Sequence, residues 1–175
     1  MIMKLSKSYI QSRDIDWFCN IDGIYVHAAS AGGELPDIVN DRKMLREVQL
    51  AVYELKDLYE ENQIVFNEDV IRKRLRDNIE RLAEHNIENI EYNEEDSYKD
   101  YISTFAAMAR KGFISFDRVN AFDITDNRYN WVARPCDFPN SRKPALVLPQ
   151  KRVYSCEAFM LVLGKSKVNF IELLR

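Results

Sequence analysis

Apolar residues along this chain change period several times, and each change marks an element. Residues 15–36 read IDWFCNIDGIYVHAASAGGELP, two alternating apolar runs around Asp22-Gly23. Asp-Gly suits the type I′ reversal, whose two central residues both need positive φ, so this stretch predicts a β-hairpin. A two-residue loop then sets the register: Ile21 faces Ile24, Asn20 faces Tyr25, Cys19 faces Val26, Phe18 faces His27 and Trp17 faces Ala28. Because side chains alternate across a strand, Trp17, Cys19, Ile21, Ile24, Val26 and Ala28 form a core face. Phe18, Asn20, Tyr25 and His27 share the opposite face, expected to be mixed and partly exposed.

Beyond the hairpin a small-residue elbow carries Gly32, Gly33 and Pro36, and the period lengthens to that of a helix. A first helix is expected to start between Asp37 and Asp41 and to run to about Glu61, with Leu45, Val48, Val52, Leu55 and Tyr59 as its stripe. A second, capped by Asn67 with Glu68 and Asp69 in its first turn, buries Ile71, Leu75, Ile79 and Leu82. A third, capped by Asn93 or a residue nearby, turns Tyr98, Tyr101, Ile102, Phe105 and Met108 inward and stops at Gly112. Alternation then returns, predicting strands over 113–119, 128–134, 145–148, 153–156, 158–163 and 167–174. A polar loop over 136–144 separates the second from the third, and a tight turn at Gly164-Lys165-Ser166 joins the last two. Residues 1–14 are expected to form a short strand or arm.

The pattern predicts an α+β fold: two to three amphipathic helices packed on a mainly antiparallel sheet, an N-terminal β-hairpin and a β-rich C-terminal half. The 175 residues are read as a single domain, 1–175, with possible sub-lobes. One is 1–92, hairpin plus two helices; the other is 93–175, helix plus antiparallel strands. Charge follows the same division. Residues 1–100 hold 13 basic against 22 acidic side chains, and residues 101–175 hold 12 against 6. Such a dipole orients a charged partner, or is satisfied by one half facing the other.

No apolar run approaches the roughly 18–20 residues that span a bilayer, and the N-terminal residues lack the apolar core of a signal peptide. Three widely spaced cysteines, Cys19, Cys136 and Cys156, read as reduced thiols, which points to the cytoplasm.

Candidate chemistry gathers near the hairpin. Cys19 and His27 suggest a dyad, but the register sends them to opposite faces. His27 alone is a candidate acid or base, with Asp16, Asn20 and Tyr25 around it and Asp14 near the strand start. The histidines and cysteines have no metal-ligand spacing, and the loop over 123–127 lacks the pattern of a calcium loop, so neither metal nor cofactor is expected. The glycine elbow matches no phosphate-binding motif, and Glu34, Asp37 and Asp41 would repel an anion there.

Residues 98–135, YKDYISTFAAMARKGFISFDRVNAFDITDNRYNWVARP, place a helix before a strand, a polar loop and a return strand. This arrangement resembles the final helix and wing of winged-helix domains. The resemblance implies DNA or protein binding, with Arg118, Arg128 and Arg134 on or near the wing. The helix opens with Glu94, Glu95, Asp96 and Asp100, so any phosphate contact would fall to the β half, including Arg142, Lys143, Lys151 and Arg152. The leading reading is a non-enzymatic binding or interaction protein using Phe18, Tyr25, His27, Gly32 and Gly33. A protein partner or self-association is preferred over nucleic acid, no membrane is involved, and no small-molecule ligand can be named. The rivals are a nucleic-acid binder and a small enzyme that uses His27.

Overall fold

The Asp22-Gly23 reversal organises the observed fold. In the computed structural model, which describes residues 3–85, 92–153 and 167–174, Asp22 has φ 51° and Gly23 has φ 87°. They join β1 (Asp16–Ile21) to β2 (Ile24–Ala29) in the predicted register, from Ile21 opposite Ile24 to Trp17 opposite Ala28. Before the hairpin lies a short helix, α1 (Lys7–Gln11), rather than a strand, started by Ser6, whose hydroxyl accepts the Tyr9 N–H.

Three long helices follow, interrupted by one short strand: α2 (Arg42–Glu54), β3 (Ile64–Phe66), α3 (Glu68–Glu84) and α4 (Glu94–Arg110). Helix α2 ends seven residues earlier than its apolar stripe predicts. The cause lies elsewhere in the chain. The last carbonyl of α4, on Arg110, lacks an intrahelical donor, and the backbone N–H groups of Leu58 and Tyr59 both bond to it, at 2.7 and 3.0 Å. Lys111 Nζ also donates to the Leu55 carbonyl, and Asp57 pairs with Arg110. Capping α4 therefore draws residues 55–59 out of the helix and leads them into β3, a strand the periodicity does not reveal.

Asn67 stands at the N-cap of α3 as expected, but its side chain donates to the Trp131 carbonyl instead of capping. Asn93 does cap α4, accepting from the N–H groups of Glu95 and Asp96. Gly112, with φ 95°, ends that helix and turns the chain into β4 (Ile114–Arg118). The remaining described elements are β5 (Arg128–Pro135), β6 (Gln150–Lys151), β7 (Val168–Asn169) and α5 (Phe170–Leu173).

The seven strands form one sheet in the order β3-β5-β4-β2-β1-β6, with β7 also pairing β5, so both halves of the sequence contribute strands. The sheet is mainly antiparallel, as expected, but not wholly so: β2 pairs β4 in parallel, and so does β1 with β6. The crossover through α2, α3 and α4 returns β4 alongside β2 in the same direction, as helical crossovers do. Other expected strands also change. Residues 145–148 form no strand, since Pro144 and Pro149 flank them and deny the ladder two donors. Of 167–174 only β7 is extended, because the Asn169 side chain accepts from Ile171 and Glu172 and starts α5. The strands predicted over 153–156 and 158–163, and the turn at Gly164-Lys165-Ser166, lie outside the described residues apart from Val153.

The sheet is covered on both sides. One face holds Trp17, Cys19, Ile21, Val26, Ala28 and Phe116 under α1, the elbow and α5. The opposite face packs Phe18, Ala29, Phe113, Val132 and Ala133 against α2, α3 and α4. The second hairpin face, expected to be partly exposed, is therefore interior at Phe18 and His27. Only with helices on both sides does a polar residue such as His27 come to need partners inside the protein.

Candidate functional site

Strand direction decides which residues meet. Because β2 and β4 are parallel, their carboxyl ends lie side by side, Ala29 opposite Asp117, and the start of β1 at Asp16 lies opposite Ala29. Helix α3 brings Arg74 and Asn78 to the same end, and α4 brings Tyr101, Thr104 and Phe105. Together with Asp14, Ala31 and Ala121 they line a cleft of about 340 Å³.

His27 lies beneath this cleft. Its side chain is 0% exposed, stacked on Phe18 at 5.1 Å and tilted against Phe105 at 6.0 Å. Nε2 sits 3.0 Å from Asp16 Oδ1, and Nδ1 sits 3.1 Å from Ser115 Oγ. Asp16 also accepts the Tyr53 hydroxyl at 3.0 Å, and its backbone carbonyl accepts Gln49 Nε2 at 2.7 Å. Burial alone would raise the Asp16 carboxyl, but the bond and charge of His27 outweigh it and hold the group below its ordinary value. Burial and the Asp16 charge push the Tyr53 hydroxyl up to about 12.

Serine, histidine and carboxylate in a row invite comparison with a nucleophilic triad, but this row is closed. Ser115 is fully buried and donates to the Phe105 carbonyl at 3.2 Å. Nδ1 lies against Ser115 Oγ and Nε2 against Asp16, the donor at each contact being set by the tautomer. A triad serine must meet its substrate and aim its proton at the base. Ser115 is sealed from any substrate, so the row is a buried strut joining β1, β2, β4 and α4.

The second polar group lies on the wall of the cleft. Arg74 Nη2 bonds Asp117 Oδ2 at 2.8 Å and also the Arg118 carbonyl, while Tyr101 donates to the same Oδ2 at 2.7 Å. Burial pushes the Asp117 carboxyl up, with the charge of Asp14 adding, against Arg74 and Tyr101. Burial works against the Arg74 cation as well, but Asp117 and Tyr101 hold it above its ordinary value.

Arg118 serves the frame of the site. It is 1% exposed and donates to four backbone carbonyls. Nη1 reaches Ser30 and Ala31 at 3.2 and 3.0 Å, Nε reaches Asp126 at 2.7 Å, and Nη2 reaches Asp123. The elbow and the loop after β4 are thereby tied together over one cation. Gly33 makes room for it, since a Cβ there would stand 2.5 Å from Nη1. Gly32, with φ 77°, passes close to the Gln11 carbonyl.

The sequence-predicted residues divide accordingly. His27 and Asp16 are in contact, and Phe18 stacks on the imidazole. Asn20 instead closes the hairpin turn, accepting the Gly23 N–H at 2.8 Å, and Tyr25 donates to the Leu146 carbonyl at 3.3 Å. Gly32 and Gly33 pack against Gln11 and Arg118. Cys19 lies on the other face from His27, and burial pushes its thiol up.

Of the basic residues, Arg118 is enclosed, Arg128 pairs with Asp126, and Arg134 lies over Trp131 and Phe138. Arg142 lies over Tyr59, Lys143 approaches Gly23, and Lys151 lies on β6 with Arg152 following. The β4–β5 pair is flanked by β2 on one side and by β3 and β7 on the other, so it does not project as a wing.

Sequence reasoning missed Ser115, Arg74, Tyr101 and Asp117. A signal existed for one of them: Asp117-Arg118 interrupts the apolar run FISFDRV, and charge inside a strand buried on both faces implies a partner. Among the described residues no group of three or more His, Cys, Asp or Glu could hold a metal ion, and no helix is long and apolar enough to cross a membrane. No protein family matches this chain, and no curated protein or solved structure matches it either.

Proposed function

We propose that this chain is a non-catalytic binding protein of the cytoplasm that holds a small polar ligand in the cleft beside Asp16 and Asp117. The observation that carries this reading is the closure of His27. A general acid or base must reach the proton it moves, and both ring nitrogens here are engaged under a cover of Phe18 and Phe105. The neighbouring cleft, by contrast, is open. Its volume falls in the range of about 300–1,000 Å³ common to small-molecule sites, and it lies outside the carboxyl ends of two parallel strands, where open sheets commonly bind ligands.

The test is amide NMR of the full chain against neutral, anionic and cationic metabolites at millimolar concentration. Saturable shifts confined to Ala29, Ala31, Tyr101 and Phe105 are expected. Shifts that map elsewhere overturn the cleft, and turnover of any compound that is lost in a folded His27→Gln variant overturns the non-catalytic reading.

One observation favours a second reading, a protein partner or a second copy of the chain. Leu50 and Tyr53 are 57% and 54% exposed one helical turn apart on α2, and Tyr53 reaches Asp16 at the edge of the same cleft. Sedimentation at rising concentration tests self-association: a dimer that Leu50→Lys dissociates supports it, and a monomer throughout refutes it.

A further inference from the structure

We infer that α2 pairs with the α2 of a second copy of this chain, antiparallel, about a two-fold axis at Leu50. The inference deepens the second reading above and rests on Leu50 and Tyr53 being an interface.

Helix α2 turns Leu45, Val48 and Val52 toward the core. At 3.6 residues per turn Leu50 falls opposite that stripe, at the outermost point of the helix. Arg46 and Glu54 continue the same exposed row, four residues before Leu50 and four after it.

These two charges are unmatched within their own chain. Their neighbours Lys43 and Glu47 meet along the helix at 3.8 Å. Arg46 and Glu54 form no ion pair among the described residues. Eight residues of helix, about 12 Å, keep them from each other. A two-fold axis at Leu50 matches both at once. Each lies about 6 Å along the helix from the axis, so rotation sets Arg46 of either copy against Glu54 of the other. A parallel pairing would set Arg46 against Arg46 and Glu54 against Glu54, so the order of charges selects the antiparallel one. The surface is thus complementary to itself, as a two-fold interface must be.

Tyr53 adds an anchor whose position is already fixed. Its hydroxyl is tied to Asp16 at 3.0 Å, and Asp16 to His27, while more than half of the residue stays exposed. A side chain held this way loses little freedom when a partner covers it.

The experiment is sedimentation of the full chain at rising concentration, with charge reversals on α2. Arg46 and Glu54 are exposed, and circular dichroism checks that each variant keeps its helices. The parent is expected to form a dimer. Arg46→Glu and Glu54→Arg should each weaken it about tenfold, because each turns two attractions into two repulsions. An equal mixture of the two variants should associate as tightly as the parent, since the mixed pair opposes unlike charges again. Single reversals without effect, or a mixture no tighter than either variant alone, overturn the two-fold register. A dimer still lost in Leu50→Lys then leaves the second reading standing. A monomer at every concentration overturns both. So does a dimer indifferent to Leu50→Lys but lost in Val147→Lys, which replaces an apolar side chain that is 93% exposed elsewhere in the chain.

Discussion

Replacing Gly33 by alanine should destabilise this protein through Arg118, a residue far away in sequence. The φ of Gly33 lies outside the left-handed region, so alanine there meets no backbone penalty. On backbone grounds alone, Gly→Ala at such a site stabilises by about 0.4–1 kcal/mol, because the unfolded chain loses freedom. Contact reverses the sign. The added Cβ would stand 2.5, 2.6 and 2.7 Å from Nη1, Cζ and Nε of Arg118, so one side must retreat by nearly 1 Å to reach the ordinary 3.4 Å. A long side chain normally swings away at little cost, but this one is buried and held by four carbonyls from two segments.

Losing one or two charge-assisted bonds, at roughly 1.5–3 kcal/mol each, gives an expected destabilisation of about 3 kcal/mol. With a urea m-value of about 2 kcal/mol/M, the midpoint falls by about 1.5 M. The decisive assay is the double-mutant cycle with Arg118→Leu. Removing the guanidinium is itself costly, but it should shrink the Gly33→Ala increment to below about 0.5 kcal/mol. A Gly33→Ala variant as stable as the parent, or equal increments in both backgrounds, would refute the reasoning.

Other perturbations separate the two polar groups. Asp16→Asn should cost roughly 2 kcal/mol near neutral pH, and the gap to the parent should close in acid. A carboxyl held below its ordinary 3.8 stabilises the fold above that value, and the contribution is lost as pH falls through the folded pKa. Urea titrations at a series of pH values check this, and a gap that widens in acid would contradict it. Arg74→Met should cost about 3–5 kcal/mol by leaving Asp117 buried and unpaired. Because the Asp117 carboxyl is raised, that cost should ease as pH falls and the group takes up a proton, beginning at a higher pH than the closing of the Asp16→Asn gap, whose carboxyl is held low. Tyr101→Phe removes one donor from Asp117 Oδ2 and should cost about 1–2 kcal/mol in thermal or urea unfolding without loss of native helix content.

The uneven legibility of this fold has a physical cause. The hairpin was readable to the residue because its determinants are local: two positive-φ positions and a period-two pattern within fourteen residues. The caps of α3 and α4 were readable in position for the same reason. Helix α2 was misjudged at its end because the donors that unwind residues 55–59 serve a carbonyl at Arg110, more than fifty residues away.

The candidate site is affected most by this distance. Asp16 and His27 were paired from the register alone, since both belong to one hairpin. Ser115 and Asp117 could join them only once β4 was known to lie parallel to β2, and no sequence period encodes which strand a crossover returns to. Arg74 is one of several bases on α3, and in the fold it is half-buried where Lys73 and Arg76 are exposed, a difference that adjacency to Leu75, shared with Arg76, does not announce. Polar residues that meet across a parallel pairing are thus hard to find from one sequence, although such pairings are where open sheets commonly form their clefts. In this chain the parallel β2–β4 pair both hides the site from the sequence and creates it, by bringing two carboxyl ends and two helices to a single wall.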